Sequence, residues 1–187
     1  AEYDNVKYKE LIKNRWNFET EQPVQNISEL FSLLRKITNQ DVSRIGEIMK
    51  LLEKHPKLII FYNYNYELEI LRTLANTLDY PVSEWNGHKH APIPQDDKWM
   101  YLVQYTSGAE GWNCIETDAM AFWSLTYSYK ILHQCLGRID RLNTPFTDLY
   151  YYIIRSSSPV DLGVWKAVVS KKDFNKNQYV THSVMHT

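Results

Sequence analysis

Lys57-Leu-Ile-Ile-Phe-Tyr62 is the stretch that most restricts the fold. A short, unbroken apolar run with no polar alternation suits a strand covered on both faces, and such strands belong to parallel sheets flanked by helices. The rest of the chain repeats this unit. Asn63 to Asn65 predicts a turn, and Tyr66 to Leu78 a helix with Leu68, Leu71 and Leu74 or Ala75 inward. Val82 to Trp85 reads as a second strand closed by the Asn86-Gly87 turn signal, and His88 to Asp97, with two prolines, as a loop. Lys98 to Tyr105, Ala119 to Ser124 and Asp148 to Arg155 give three further strands. Alternating strands and helices imply right-handed crossovers and an α/β fold with a mainly parallel sheet.

The flanks read as helices. Val6 to Trp16 suits a short one, and Glu21-Gln22-Pro23 a break. Ser28 is the expected N-cap for Glu29 to Ile37, and Asp41 for a helix in which Ile45, Ile48, Met49 and Leu52 recur. His55-Pro56 should end it. Both helices are expected to be packing elements. Ser158-Pro159-Val160-Asp161 has the features of a helix start, with Val160, Val164 and Val168 inward. The expected division is a helical lead-in over 1–55, a core domain over 56–175 and a tail over 176–187.

At 187 residues the chain suits one domain with a sizeable core. A net charge of -1 offers no overall field for nucleic acid, so such a contact needs a local patch. No apolar run approaches a membrane span, so no membrane partner is expected. Cys114 and Cys135 lack a CxxC spacing and read as free thiols of a reducing, cytoplasmic compartment.

Sheets of this kind bind ligands where strands end and helices begin. That edge carries Asn63 and the loop Thr106-Ser-Gly-Ala-Glu-Gly-Trp-Asn113, whose two glycines let backbone come close to a ligand. Tight turns need glycine for their own reasons, so the loop alone is weak evidence. Ser128 to Asn143, taken as one helix, has two faces. Leu132, Cys135, Leu136 and Ile139 form one; Gln134, Gly137, Arg138 and Arg141 form the other at i, i+3, i+4 and i+7. Guanidiniums suit phosphate oxygens, and equally a solvated helix C-terminus. His88 and His90 lack the third and fourth ligands of a zinc site, so no metal is expected. Tyr150-Tyr-Tyr152 could stack bases, but on a strand should pack alternately on either face.

Gln134-x-x-Gly137-Arg138-x-x-Arg141 resembles motif VI of superfamily 2 helicases and translocases. Tyr105 to Asp118 resembles motif V, with Gly111-x-Asn113 as in the Swi/Snf-type DNA translocases, and Lys57 to Leu74 resembles motif IV. Leu30 to Ile37 and Val160 to Asn175 are similar to the helices before and after that lobe. The resemblance implies the C-terminal RecA-like lobe, a three-layer sandwich. By it, Arg138 and Arg141 would be arginine fingers at the γ-phosphate of ATP. Gln134, Gly137, Gly111 and Asn113 would approach the nucleotide, and Asn63, Thr106 and Ser107 would grip the nucleic-acid backbone. The chain departs from the family in a crossover of about ten residues bearing Pro92 and Pro94, and in Gln104-Tyr105, where small hydroxyl residues are usual.

No glycine precedes a lysine, and no Asp-Glu pair occurs, so the phosphate loop and magnesium ligands are absent from these residues. The resemblance therefore implies ATP and Mg held by a first RecA-like lobe of the same polypeptide, with DNA as the second partner and RNA left open. The isolated chain should not turn over ATP. The rival reading is a docking module derived from such a lobe.

Overall fold

The computed structural model describes residues 1–108 and 112–170. Gly111, Lys171, Lys172 and the expected tail lie outside them. Five strands form one parallel sheet: β3 (Lys57–Tyr62), β4 (Val82–Trp85), β5 (Trp99–Gln104), β6 (Ala119–Phe122) and β7 (Tyr150–Ile153), in spatial order β4-β5-β3-β6-β7. β3 sits at the centre and pairs Ile59 with Tyr101 on one side and with Met120 on the other. After β5 the chain crosses β3 to reach β6, so the strand order reverses there, which is where such sheets open a ligand crevice.

Alternate strand residues feed two cores. Ile59, Phe61, Tyr101, Val103, Met120 and Phe122 pack against α1 (Asn5–Asn14), α2 (Ile27–Asn39), α6 (Tyr129–Leu136) and α7 (Pro159–Val169). Leu58, Ile60, Met100, Leu102 and Ala121 pack against α3 (Ser43–Lys54) and α4 (Asn65–Thr77). The result is a helix–sheet–helix sandwich. Phe61 and Phe122 stack 5.3 Å apart between neighbouring strands.

Local chemistry corrects several expectations. The α2 cap is Asn26, not Ser28: Asn26 accepts from Glu29 N–H at 2.8 Å. Asp41 is not the N-cap of α3 either: that position is Val42, although Asp41, just outside the helix, accepts from Ser43 N–H at 2.9 Å. Ser158 caps α7 as expected, with Pro159 in its first turn. Trp16–Asn17 (β1) and Gln22–Pro23 (β2) form a small antiparallel pair where only a break is expected. The tyrosines of β7 do not pack alternately: β7 is an edge strand, with Tyr150 41% and Tyr151 37% exposed.

α2 and α3 do more than pack. Arg44 in α3 is wholly buried and donates Nε to Thr38 O (3.2 Å), Nη1 to Ile154 O (3.0 Å) and to Trp123 O, and Nη2 to Asp161 (2.7 Å) in the first turn of α7. Asp161 also accepts from Ser156 N–H (2.7 Å) and Ser156 Oγ (2.8 Å). One ion pair thus binds the lead-in helix, the ends of β6 and β7, and the last helix.

Candidate functional site at the strand ends

β3 ends in Asn63, and the polar groups there form a continuous chain. Asn63 Nδ2 donates to Ser124 Oγ (2.8 Å) and Leu125 O (3.1 Å), and Ser124 Oγ donates to the Glu67 carboxylate (2.9 Å). Glu67, in the first turn of α4, also accepts from the Asn63 (2.7 Å) and Tyr64 (3.3 Å) backbone N–H groups, the reach-back half of a capping box. Glu67 is fully buried, and that burial raises its carboxyl above the usual range, opposed by these hydrogen bonds and by the Arg35 charge. Tyr105 OH donates to Ser124 O (2.8 Å), so the ends of β5, β3 and β6 are tied together. Every donor of Asn63, both Nδ2 protons and the backbone N–H, is therefore committed to its own fold.

The end of β5 continues into a single helical turn, α5 (Tyr105–Gly108). Thr106 is exposed; its Oγ1 and the Ser107 Oγ both donate to Gln104 Oε1, at 2.8 and 3.1 Å. Ser107 O accepts from Trp85 Nε1 at 3.0 Å. Gln104, the departure at the strand end, thus orients both hydroxyls. A cleft of about 500 Å³ opens beside it, lined by Asn65, Arg72, Asn86, His88 and Lys89.

α6 starts after β6, where Ser128 accepts from Ile131 N–H at 3.3 Å. It ends at Leu136 rather than running to Asn143. Gly137 closes it, and the backbone of Arg138 turns to meet the preceding loop: Cys114 N–H donates to Arg138 O, and Arg138 Nη1 donates to Trp112 O, both at 3.0 Å. The expected single stripe is thereby broken. Gln134 is half-buried on the helix, Arg138 lies against the loop, and Arg141 is exposed beyond it. Gly137 has an ordinary right-handed backbone, and a methyl added there would meet only Gln134 O, at 3.6 Å. Among the described residues, nothing in the chain itself requires glycine at that point. Cys135 and Cys114 are buried free thiols, both pushed up to about 12 mainly by burial, which makes them poor nucleophiles.

Asn63, Thr106 and Ser107 lie at the strand ends; Arg138 bonds the 112–118 loop at Trp112 and Cys114, on either side of the exposed Asn113. Gly111 is outside the described residues. Missed by the sequence reading are Glu67 and Ser124, which bond Asn63, and Arg35, which shares the Leu125 carbonyl with it. A second cleft, about 590 Å³, opens at the opposite edge. There His55 Nδ1 pairs with Asp118 (3.0 Å) and Nε2 with Tyr152 OH (2.7 Å), so both ring nitrogens serve to latch strand starts.

No protein-family profile and no curated protein matches the sequence. Among solved structures, the chain is similar to the crystal structure of the C-terminal part of the Fun30 ATPase domain, with a TM-score of 0.62 at 14% identity. The match covers 94% of this chain and 59% of that one, so the chain spans somewhat over half the length of its structural neighbour. The shared architecture is the RecA-like α/β sandwich. No helix among the described residues is long and apolar enough to cross a membrane.

Proposed function

We propose that this chain, which has the fold of the C-terminal part of an ATPase domain, is the second motor lobe of an ATP-dependent DNA helicase or translocase. Its arginines act on ATP that a first lobe holds together with Mg, and its strand ends hold the nucleic-acid backbone. The observation that carries this reading is the joint between the turn after α6 and the 112–118 loop. Reciprocal bonds from Cys114 N–H to Arg138 O and from Arg138 Nη1 to Trp112 O bring the motif V-like and motif VI-like stretches together. Gly137, without a packing reason to be glycine among the described residues, leaves room there for a ligand.

Each group then has a task. Arg141, exposed and without an ion pair among the described residues, supplies charge to the γ-phosphate as its bonds to the leaving group loosen. Arg138 turns from Trp112 O toward the γ-phosphate beside Arg141, and Gln134, Gly137, Gly111 and Asn113 border the phosphates. Thr106 and Ser107 contact backbone phosphates by turning their hydroxyls from Gln104, and Asn63 by releasing Ser124 Oγ or Leu125 O; phosphates carry no sequence information and suit movement along any sequence.

Two measurements on the isolated chain test this. It should bind nucleic acid weakly, with affinity falling steeply as salt rises, because contacts are to phosphates and the chain is near neutral. It should not turn over ATP. Tight, sequence-selective binding that persists at high salt, or turnover abolished by Arg141→Ala in the isolated chain, would contradict the reading. The alternative, a docking module, is not favoured by any particular contact.

A further inference from the structure

The carbonyl of Leu125 is where two parts of the molecule meet. It accepts Asn63 Nδ2 from the end of β3 (3.1 Å) and Arg35 Nη2 from α2 (2.7 Å). Leu125 lies in the segment joining β6 to α6. Two residues on, the ring of Tyr127 lies 5.1 Å from the same Arg35 guanidinium. One side chain therefore holds both a carbonyl and a ring of the segment that sets where α6 begins. Tyr127 OH in turn bonds Tyr64 OH, beside Asn63.

Arg35 is wholly buried, and its Nε and Nη1 meet no acceptor among the described residues. It has no direct carboxylate partner among the described residues; Asp161 and Glu67 act on it only at a distance. A buried guanidinium held by one carbonyl and one ring is a poor stabilising device, since burying charge without full pairing is costly. Phe31, one turn earlier on α2, and Leu34 show that an apolar side chain would pack there. What an apolar side chain could not do is hold Leu125 O and the Tyr127 ring in one fixed relation.

We propose that Arg35 is a positioning residue that ties the Asn63 end of β3 to the start of α6, so that nucleic-acid contact at Asn63 and placement of Gln134 and Arg138 shift together. The kinetic part rests on the motor reading above; the structural part does not.

The test uses Arg35→Met, which keeps volume and removes the fork. In the chain itself, hydrogen exchange at the α6 amides should speed up about tenfold, with α4 and α7 amides within about twofold of the parent. Unchanged α6 exchange, or equal acceleration everywhere, would overturn the proposal. In the whole polypeptide, the ratio of nucleic-acid-stimulated to basal ATP turnover should fall on the order of 10²-fold, the cost of a small misplacement that uncouples the two contacts. An equal fall in basal and stimulated turnover would mean a merely structural arginine and would also overturn it. Should Arg35→Met fail to fold, Arg35→Lys serves: it retains charge and the carbonyl contact but not the planar fork over Tyr127, and the same selective pattern is expected. Full parental behaviour in Arg35→Lys would refute the positioning role. Because the exchange measurement involves no ATP, it separates failure of this proposal from failure of the motor reading.

Discussion

Arg44 and Arg35 are both wholly buried near the ends of β6, yet they are held in opposite ways. Arg44 spends its donors on three carbonyls and the Asp161 carboxylate. Arg35 has one carbonyl, one ring and two nitrogens without acceptors among the described residues. The first arrangement locks α3, the strand ends and α7 into one body. The second leaves a charge under-satisfied between α2 and the segment leading into α6. A buried charge that is fully paired marks a clamp, and one that is not marks a place where geometry is maintained against its stabilising interest.

The sharpest way to break this contrast is Arg44→Met. It strands Asp161 in the interior, and removing one partner of a buried pair costs about 3–5 kcal/mol. Denaturant midpoints would measure it, and a loss below about 1 kcal/mol, the range of exposed pairs, would deny the clamp. Next in size is Tyr105→Phe, which leaves the buried Ser124 carbonyl without that donor. The expected loss is about 1–3 kcal/mol by the same measurement, and no loss would mean the strand ends are not tied through Ser124.

Two glutamates extend the comparison with opposite signs. The hydrogen bonds from Arg72 hold the Glu84 carboxyl below its ordinary range, so its ionised form favours the fold. That contribution is present above the unfolded-state pKa and is lost as pH falls through the lowered folded value. Arg72 is partly exposed, so Glu84→Gln should cost about 0.5–1 kcal/mol at neutral pH and nothing in acid. Glu67 is raised by burial, so its protonated form favours the fold. Its contribution is present below the unfolded-state pKa and lost as pH rises through the raised folded value. Glu67→Gln should therefore equal or exceed the parent in stability at neutral pH and flatten the stability profile above the ordinary carboxylate range. Stability profiles across pH 3 to 8 for both variants would check the signs; a Glu67→Gln variant that is less stable only at neutral pH would reverse the assignment.

Much of the frame is legible in the sequence because burial on both faces leaves a plain mark. Lys57–Tyr62 and Val82–Trp85 are strands to the residue. What escaped was local competition. Asn26 displaced Ser28 as the α2 cap, since both can offer an oxygen to an early N–H. The helix over 128–143 stopped at Leu136 because the Arg138 backbone found a partner in Cys114, a contact no periodicity encodes. The buried arginines did leave a signal. Arg44, Ile48 and Leu52 stand at i, i+4 and i+8, and Arg35 lies four after Phe31, so each interrupts an inward stripe. Thr106 and Ser107 directly follow β5, and the role of Gln104 in orienting them depends on side-chain geometry.

With the whole polypeptide, ATP turnover in the presence of DNA should fall about 10³- to 10⁵-fold in Arg141→Ala, as expected for an arginine finger, with stability and DNA affinity nearly unchanged. Arg141→Lys should lose nearly as much, because an ammonium lacks the planar fork. If both variants turn over ATP within a few-fold of the parent, Arg141 is only a solvated residue beyond α6, and the motor reading is contradicted.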